Sequence, residues 1–144
     1  MKRKGNQLKT FAVRMQKYID KPFGEGAYGP DAYDCVGLIW TFLRDSGVKV
    51  PDNWNGLNAD NYFHLARGSK KNEIATLIEW LKTLGIEIHP YEKIAGDIIL
   101  VDVGIVQFPA IYCGNNHAIA AFRDKVRVFS LSDKIKSVLA IRVI

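Results

Sequence analysis

The sequence is short of the residues that build disulfide, metal and membrane chemistry. It holds two cysteines, Cys35 and Cys113, in 144 residues, too few for the disulfide framework of a small secreted domain. No Cys-x-x-Cys spacing occurs, and the histidines His64, His89 and His117 stand far apart. A metal site is therefore not expected, and nothing points to another cofactor. No apolar run approaches the roughly 18 residues that a membrane span requires. The opening MKRKGNQLKTF is charged, but the apolar core of a signal peptide does not follow it, so synthesis in a cytoplasm is expected. GEGAYG lacks the strand-to-helix setting of a phosphate loop. There are no repeats, low-complexity tracts or linkers, so one domain over residues 1–144 is expected. The net charge of +5 is mild. The basic residues are scattered apart from MKRKG, which gives weak attraction to anionic polymers but no nucleic-acid or membrane partner.

What is present divides into two halves. Leu8, Phe11, Ala12, Met15, Tyr18 and Ile19 recur at spacings of three and four, which predicts an amphipathic helix over 7–19. Asp34 is placed to cap a second helix from about Cys35 to Ser46, closed by Gly47 and apolar nearly all round. Residues 51–71 are turn-rich, with room for a short helix near 59–67. A third helix is expected from Asn72 to Gly85, with Ile74, Leu77, Ile78, Leu81 and Leu84 facing inward. From Ile86 the runs IEIH, DIILVDV, VQFPAIYC, HAIAAF, KVRVFSL and VLAIRVI read as strands, and CGNNHA reads as a hairpin turn. Helices first and a meandering sheet second is the α+β pattern, here with an antiparallel sheet of about five strands.

The chemistry concentrates in KPFGEGAYGPDAYDCVGLIWTFLRDSGVKVP. Cys35 stands at a helix start, where unpaired N–H groups and the helix dipole lower a thiol pKa and offer donors to an oxyanion. Against that stands a plainer role, a small buried hydrophobe. Loop aromatics such as Tyr28, Trp54, Tyr62 and Phe63 could line a groove, but surface packing is the favoured reading, whereas Trp40 belongs to the buried helix.

This stretch resembles the NlpC-type peptidoglycan cysteine peptidases, a branch of the papain-like proteases, whose pattern runs G-x-P-Y-x-x-G-G, then F-D-C-S-G-L-V, then G-x-x-L-P. Pro22, Gly24, Gly26, Pro30, Tyr33, Asp34, Cys35, Gly37, Leu38, Ile39, Gly47 and Pro51 carry the likeness. A second match sets AGDIILVDV and FPAIYCGNNHAIAA beside the family's G-D-I/L strand and H-V-G-I-Y hairpin. The resemblance implies a papain-like fold with Cys35 as nucleophile, and a cleft formed by positions 23, 33, 34, 36, 108 and 120. Here the departures begin. The family's histidine falls on Phe108, its third polar residue on Ala120, its cleft tyrosine on Phe23, and the serine after the cysteine on Val36. Cysteine attack needs a thiolate and a proton donor for the leaving amine, and Phe108 and Ala120 supply neither. An aromatic at 108 packed over a neutral thiol would instead be a core contact.

The expectation is therefore an inactive relative that serves as a structural or cell-wall-peptide-binding component. Other phage tail or virion proteins are its expected partners, in a phage tail tip. The alternative is an active cysteine endopeptidase or amidase with Cys35 as nucleophile and His117 or another histidine as base. His117 follows the hairpin turn, and strand alternation sets it on the face opposite position 120.

Overall fold

The computed structural model describes residues 11–24, 27, 29–48, 53–54, 57–58 and 78–143. Residues 11–16 are the described part of helix α1, α2 is Cys35–Asp45, and residues 78–83 are the described part of α3. The strands are β1 (Asn53–Trp54), β2 (Leu57–Asn58), β3 (Gly85–Ile88), β4 (Ile98–Asp102), β5 (Gln107–Gly114), β6 (His117–Phe122), β7 (Lys125–Ser130) and β8 (Lys136–Val143). β1 and β2 form a hairpin of their own. The other six make one antiparallel sheet in the order β3-β8-β4-β5-β6-β7.

The sheet thus has six strands rather than about five, because the IEIH run joins it. β3 pairs with the chain's last strand, Gly85 opposite Val143. Gly85 was expected to end a helix but opens this edge strand instead. A Cβ there would stand 2.1 Å from the Arg142 carbonyl oxygen, so only glycine fits. The expected cap at Asn72 and the short helix near 59–67 lie outside the described residues, as do Tyr28, Tyr62, Phe63 and the side chain of Trp54.

α2 forms where its caps dictate. Asp34 is extended, and its carboxylate accepts the Gly37 N–H at 2.6 Å, satisfying one donor of the open first turn. At the other end Gly47 takes φ +84°, the left-handed turn that stops a helix without a Cβ penalty. Between the caps lies CVGLIWTFLRD, buried on several sides: Leu38 and Ile39 are fully enclosed, and Trp40 lies beside Trp80 of α3. The β5–β6 hairpin closes through Asn115 and Asn116 at φ +51° and +64°, a conformation that asparagine tolerates better than most residues.

The sheet buries both faces, and strand alternation sorts them. Ile98, Leu100, Ile111, Ile119, Ala121, Val126, Leu139 and Ile141 pack with α1, α2 and α3. Ile99, Val101, Phe108, Ala110, Tyr112, Ala118, Ala120 and Ala140 point the other way and make a second core. Register enforces this sorting: Ile98 faces Ile111 and Ile111 faces Ile119, while Val101 faces Phe108. The second core is roofed by the connection from β7 to β8, whose Leu131 and Ile135 pack into it. The loop before α2 is fastened to the β7 edge. Asp20 N–H donates to Val126 O, Val126 N–H to Lys21 O, and Phe23 N–H to Asp124 O, at 2.8–2.9 Å. That covers an edge which would otherwise invite pairing with another chain.

Candidate functional site

Five of the seven positions singled out in the sequence come together at the start of α2. Phe23 and Tyr33 form a parallel bridge, with Gly24 N–H donating to Tyr33 O and Tyr33 N–H to Pro22 O, both at 3.1 Å. That bridge delivers Asp34, Cys35 and Val36 directly into the helix. Tyr33 meets Tyr18 edge-on, with centroids 5.6 Å apart. Tyr18 hydrogen-bonds through its hydroxyl to Asp45, which also pairs with Lys17 at 2.7 Å. Tyr18 thus touches α2 at both ends, Tyr33 before its start and Asp45 at its close.

The result is a closed site. Cys35 is 5% exposed, Val36 1%, Asp34 0% and Tyr33 4%; only Phe23 is half-buried. The thiol feels two opposed effects. Burial, with the Asp34 carboxylate adding to it, raises its pKa, while the backbone N–H groups of Cys35 and Val36 lower it. Burial wins, and the thiol is pushed up from 9.0 to about 12. At neutral pH the thiol is therefore held in its neutral form. The helix start provides oxyanion donors, but the residues that carry them are buried.

The other two positions lie elsewhere. Phe108 and Ala120 belong to the second core, on the sheet face away from the helices. The expected packing of Phe108 over the thiol is not what the fold makes. Its ring stacks on Phe122 with centroids 4.6 Å apart and meets Phe129 edge-on at 6.0 Å. The reason is parity: 108 shares a face with 110 and 112, whereas Ile111 is the neighbour that meets the helices. Ala120 sits opposite Arg127, whose guanidinium is bonded to Asp124. A guanidinium is no base at physiological pH.

The remaining candidates have other employment. His117 is half-buried at the hairpin, its Nδ1 2.7 Å from the Asn115 carbonyl oxygen. His89 stacks on Tyr91, and His64 lies outside the described residues. Gln107 donates to Asp102 at 3.0 Å. Cys113 packs against the helix-side core, and burial pushes its thiol to about 12 as well. Among the described residues, no group of three or more His, Cys, Asp or Glu side chains is arranged to hold a metal ion. No described helix is long and apolar enough to cross a membrane.

Sequence reading missed one element here, the buried Asp97. It is 3% exposed, accepts the Ile94 N–H at 2.8 Å and holds Arg142 through two bonds of 3.2 and 2.9 Å. The Gly-Asp pair marked the start of a strand, but its cation lies 45 residues away on β8, beyond the reach of any local pattern.

Comparison with known proteins agrees with this architecture. A family model, the NlpC/P60 family, matches residues 20–142. Among solved structures, the NlpC/p60 domain of the peptidoglycan hydrolase SagA superposes with a TM-score of 0.61 at 18% identity, covering 94% of this chain and 98% of that one. RipD from Mycobacterium tuberculosis, described as a non-catalytic NlpC/p60 domain protein adapted to peptidoglycan binding, gives 0.60 at 18% identity, covering 95% and 97%. The P60 domain of an antigen from M. avium paratuberculosis gives 0.61 at 19% identity, covering 97% and 95%. No curated protein matches.

Proposed function

The chain belongs to the NlpC/P60 family, and we propose that it is a member that binds peptidoglycan without cleaving it. The observation that carries this reading is the state of the thiol. Cys35 keeps the family's place at the helix start but is sealed in, with its pKa raised to about 12. The two positions that would activate it hold Phe108 and Ala120, packed into another core. A hydrolase needs the nucleophile, its base and the reacting carbonyl within a few ångströms of one another. RipD supports the reading as a family relative described as non-catalytic and peptidoglycan-binding.

The test is sedimentation with purified cell-wall sacculi alongside a hydrolysis assay on stem peptides. The wild type should co-sediment and release no fragments, and Cys35→Ala should bind equally. Stem-peptide cleavage that disappears in Cys35→Ala would overturn the proposal in favour of an active endopeptidase or amidase. The setting suggested by the sequence, a phage tail tip with tail proteins as neighbours, is a further part of the proposal. Finding the protein in purified particles would support it; finding it only in cells without particles would refute it.

A further inference from the structure

The flank of α2 carries a cavity of about 540 Å³ that the thiol site does not use. Lys17 and Lys21 line one side of it, Pro30 and Tyr33 another, and Asp45, the last residue of α2, a third. From this cavity we infer that the domain binds one carboxylate carried on a short apolar body. The free C-terminus of a peptide and a small carboxylic acid both have that chemistry. The inference does not rest on the peptidoglycan-binding reading.

The observation that carries it is the Tyr33 hydroxyl. Tyr33 is 4% exposed, and the rest of it is in use. Its N–H donates to Pro22 O, its carbonyl oxygen accepts the Gly24 N–H, and its ring meets Tyr18 edge-on. The hydroxyl is the exception, with no hydrogen-bond partner among the described residues. Buried side-chain polar atoms are as a rule bonded, and a ring that only filled space would do so without its oxygen.

The neighbours show where that oxygen lies. A Cβ on Gly29 would stand 2.9 Å from it and 2.8 Å from the ring edge, and Gly29 takes φ +98°, a conformation that favours glycine. Gly29 itself lines the cavity, so the tip of Tyr33 sits at the cavity wall. Burial, and after it the Asp45 carboxylate, raise the pKa of the phenol. At neutral pH the hydroxyl therefore keeps its proton and has one to donate.

The charge left over says what it would donate to. Two lysines and one aspartate line the cavity, a net charge of +1. Asp45 is already answered, by Lys17 at 2.7 Å and by the Tyr18 hydroxyl. Asp20, the neighbour of Lys21 in sequence, is taken by Lys125 at 3.1 Å. The Lys21 ammonium makes no ion pair with any described residue. Its backbone is nonetheless fixed, with its N–H on Tyr18 O and its carbonyl oxygen on the Val126 N–H at 2.8 Å. One uncompensated ammonium and one phenol donor match a single carboxylate; the double charge of a phosphate would exceed the cavity's own. Pro30 and the face of the Tyr33 ring give the rest of the ligand an apolar wall. The volume falls within the range of small-molecule sites.

The experiment is an NMR chemical-shift titration of the full chain with four probes. They are N-acetyl-alanyl-leucine with a free carboxylate, the same dipeptide as its C-terminal amide, isocaproate, and inorganic phosphate. Wild type is compared with Tyr33→Phe and Lys21→Met. Tyr33→Phe keeps the ring on Tyr18 and removes only the unbonded oxygen, so its denaturation midpoint should equal that of the wild type. The expected result is saturable binding of a free carboxylate, roughly tenfold weaker in each variant, with no binding of the amide or of phosphate. Binding of the dipeptide acid without isocaproate would assign a chain end as the ligand, and the reverse would assign a small acid. The inference is overturned if the amide or phosphate binds as well as the acid, if Tyr33→Phe binds unchanged, or if no probe binds. A lowered midpoint in Tyr33→Phe would also overturn it, by showing that the hydroxyl is bonded within the fold. None of these outcomes bears on sacculi, so the peptidoglycan reading stands or falls separately.

Discussion

The two faces of the sheet are built from the same strands, yet they have opposite fates. The helix-side face meets α2 and encloses Cys35, so that a helix start equipped for thiol chemistry ends inside a core. The other face buries Phe108 and Ala120 beneath a crossing loop, and an open groove lies at its rim between the Pro90–Glu92 turn and the β7–β8 connection. In this molecule the position that looks reactive is shut, and an open groove lies on the far side of the sheet. A motif at a helix start does not make a site unless the opposite strand presents a base on the same face.

The strongest way to break this comparison is to empty the second core. Phe108→Ala removes a ring stacked on Phe122 and edge-on to Phe129 and should cost about 3–5 kcal/mol, measured by urea denaturation. Phe108→His with Ala120→His should also destabilise, because both side chains would enter an apolar core, and it should restore no peptidase activity. Hydrolysis by that double variant would mean that positions 108 and 120 reach the thiol after all.

A smaller effect is expected at the strut between the second face and its groove. Asp97→Asn removes the carboxylate charge and one of the two acceptors that hold Arg142. The loss should be about 2–3 kcal/mol, below that of a fully buried pair because Arg142 is partly exposed. Because Arg142 also holds the Glu92 carbonyl oxygen, the variant should loosen the Pro90–Glu92 turn, seen as faster hydrogen exchange at the Tyr91 and Glu92 amides. Unchanged exchange there would separate the turn from its strut.

The smallest effect belongs to the residue that first draws attention. At pH 7 Cys35→Ala should cost roughly 1 kcal/mol, the loss of one buried sulfur. The pH dependence carries the sign. The folded thiol titrates near 12 against 9.0 for an unburied one, so above about pH 9 the unfolded chain sheds its proton first. The wild type then loses stability relative to Cys35→Ala between about pH 9 and 12 and gains nothing below that window. Denaturation midpoints of the pair at pH 7 and pH 10.5 check this. A constant difference would mean that the thiol is not buried in the neutral form.

Much of the fold could be read from local patterns. Asp34 before an apolar run, Gly47 after it, and the two asparagines of CGNNHA each specify backbone geometry within a few residues. The alternation that places 108 and 111 on opposite faces was also legible. What local patterns could not say is which face meets α2, since that depends on packing between segments far apart in the chain. The alignment put Phe108 at the activating position, but residue identity alone does not show where its ring points. The groove was invisible for the same reason: Tyr91, Asn116 and Asp133 come to line one space only through the sheet's long-range pairing. Gly85 misled because a glycine after a helical pattern usually caps it, and only the carbonyl of Arg142 shows why a strand needed it.

The most direct test of the account is the pH profile of alkylation at Cys35 in the folded Cys113→Ser protein, with iodoacetamide as probe. The account predicts negligible labelling from pH 6 to 8 and rapid labelling once denaturant is added. Rapid labelling of the folded protein at pH 6 would show a stabilised, accessible thiolate and contradict the inert site.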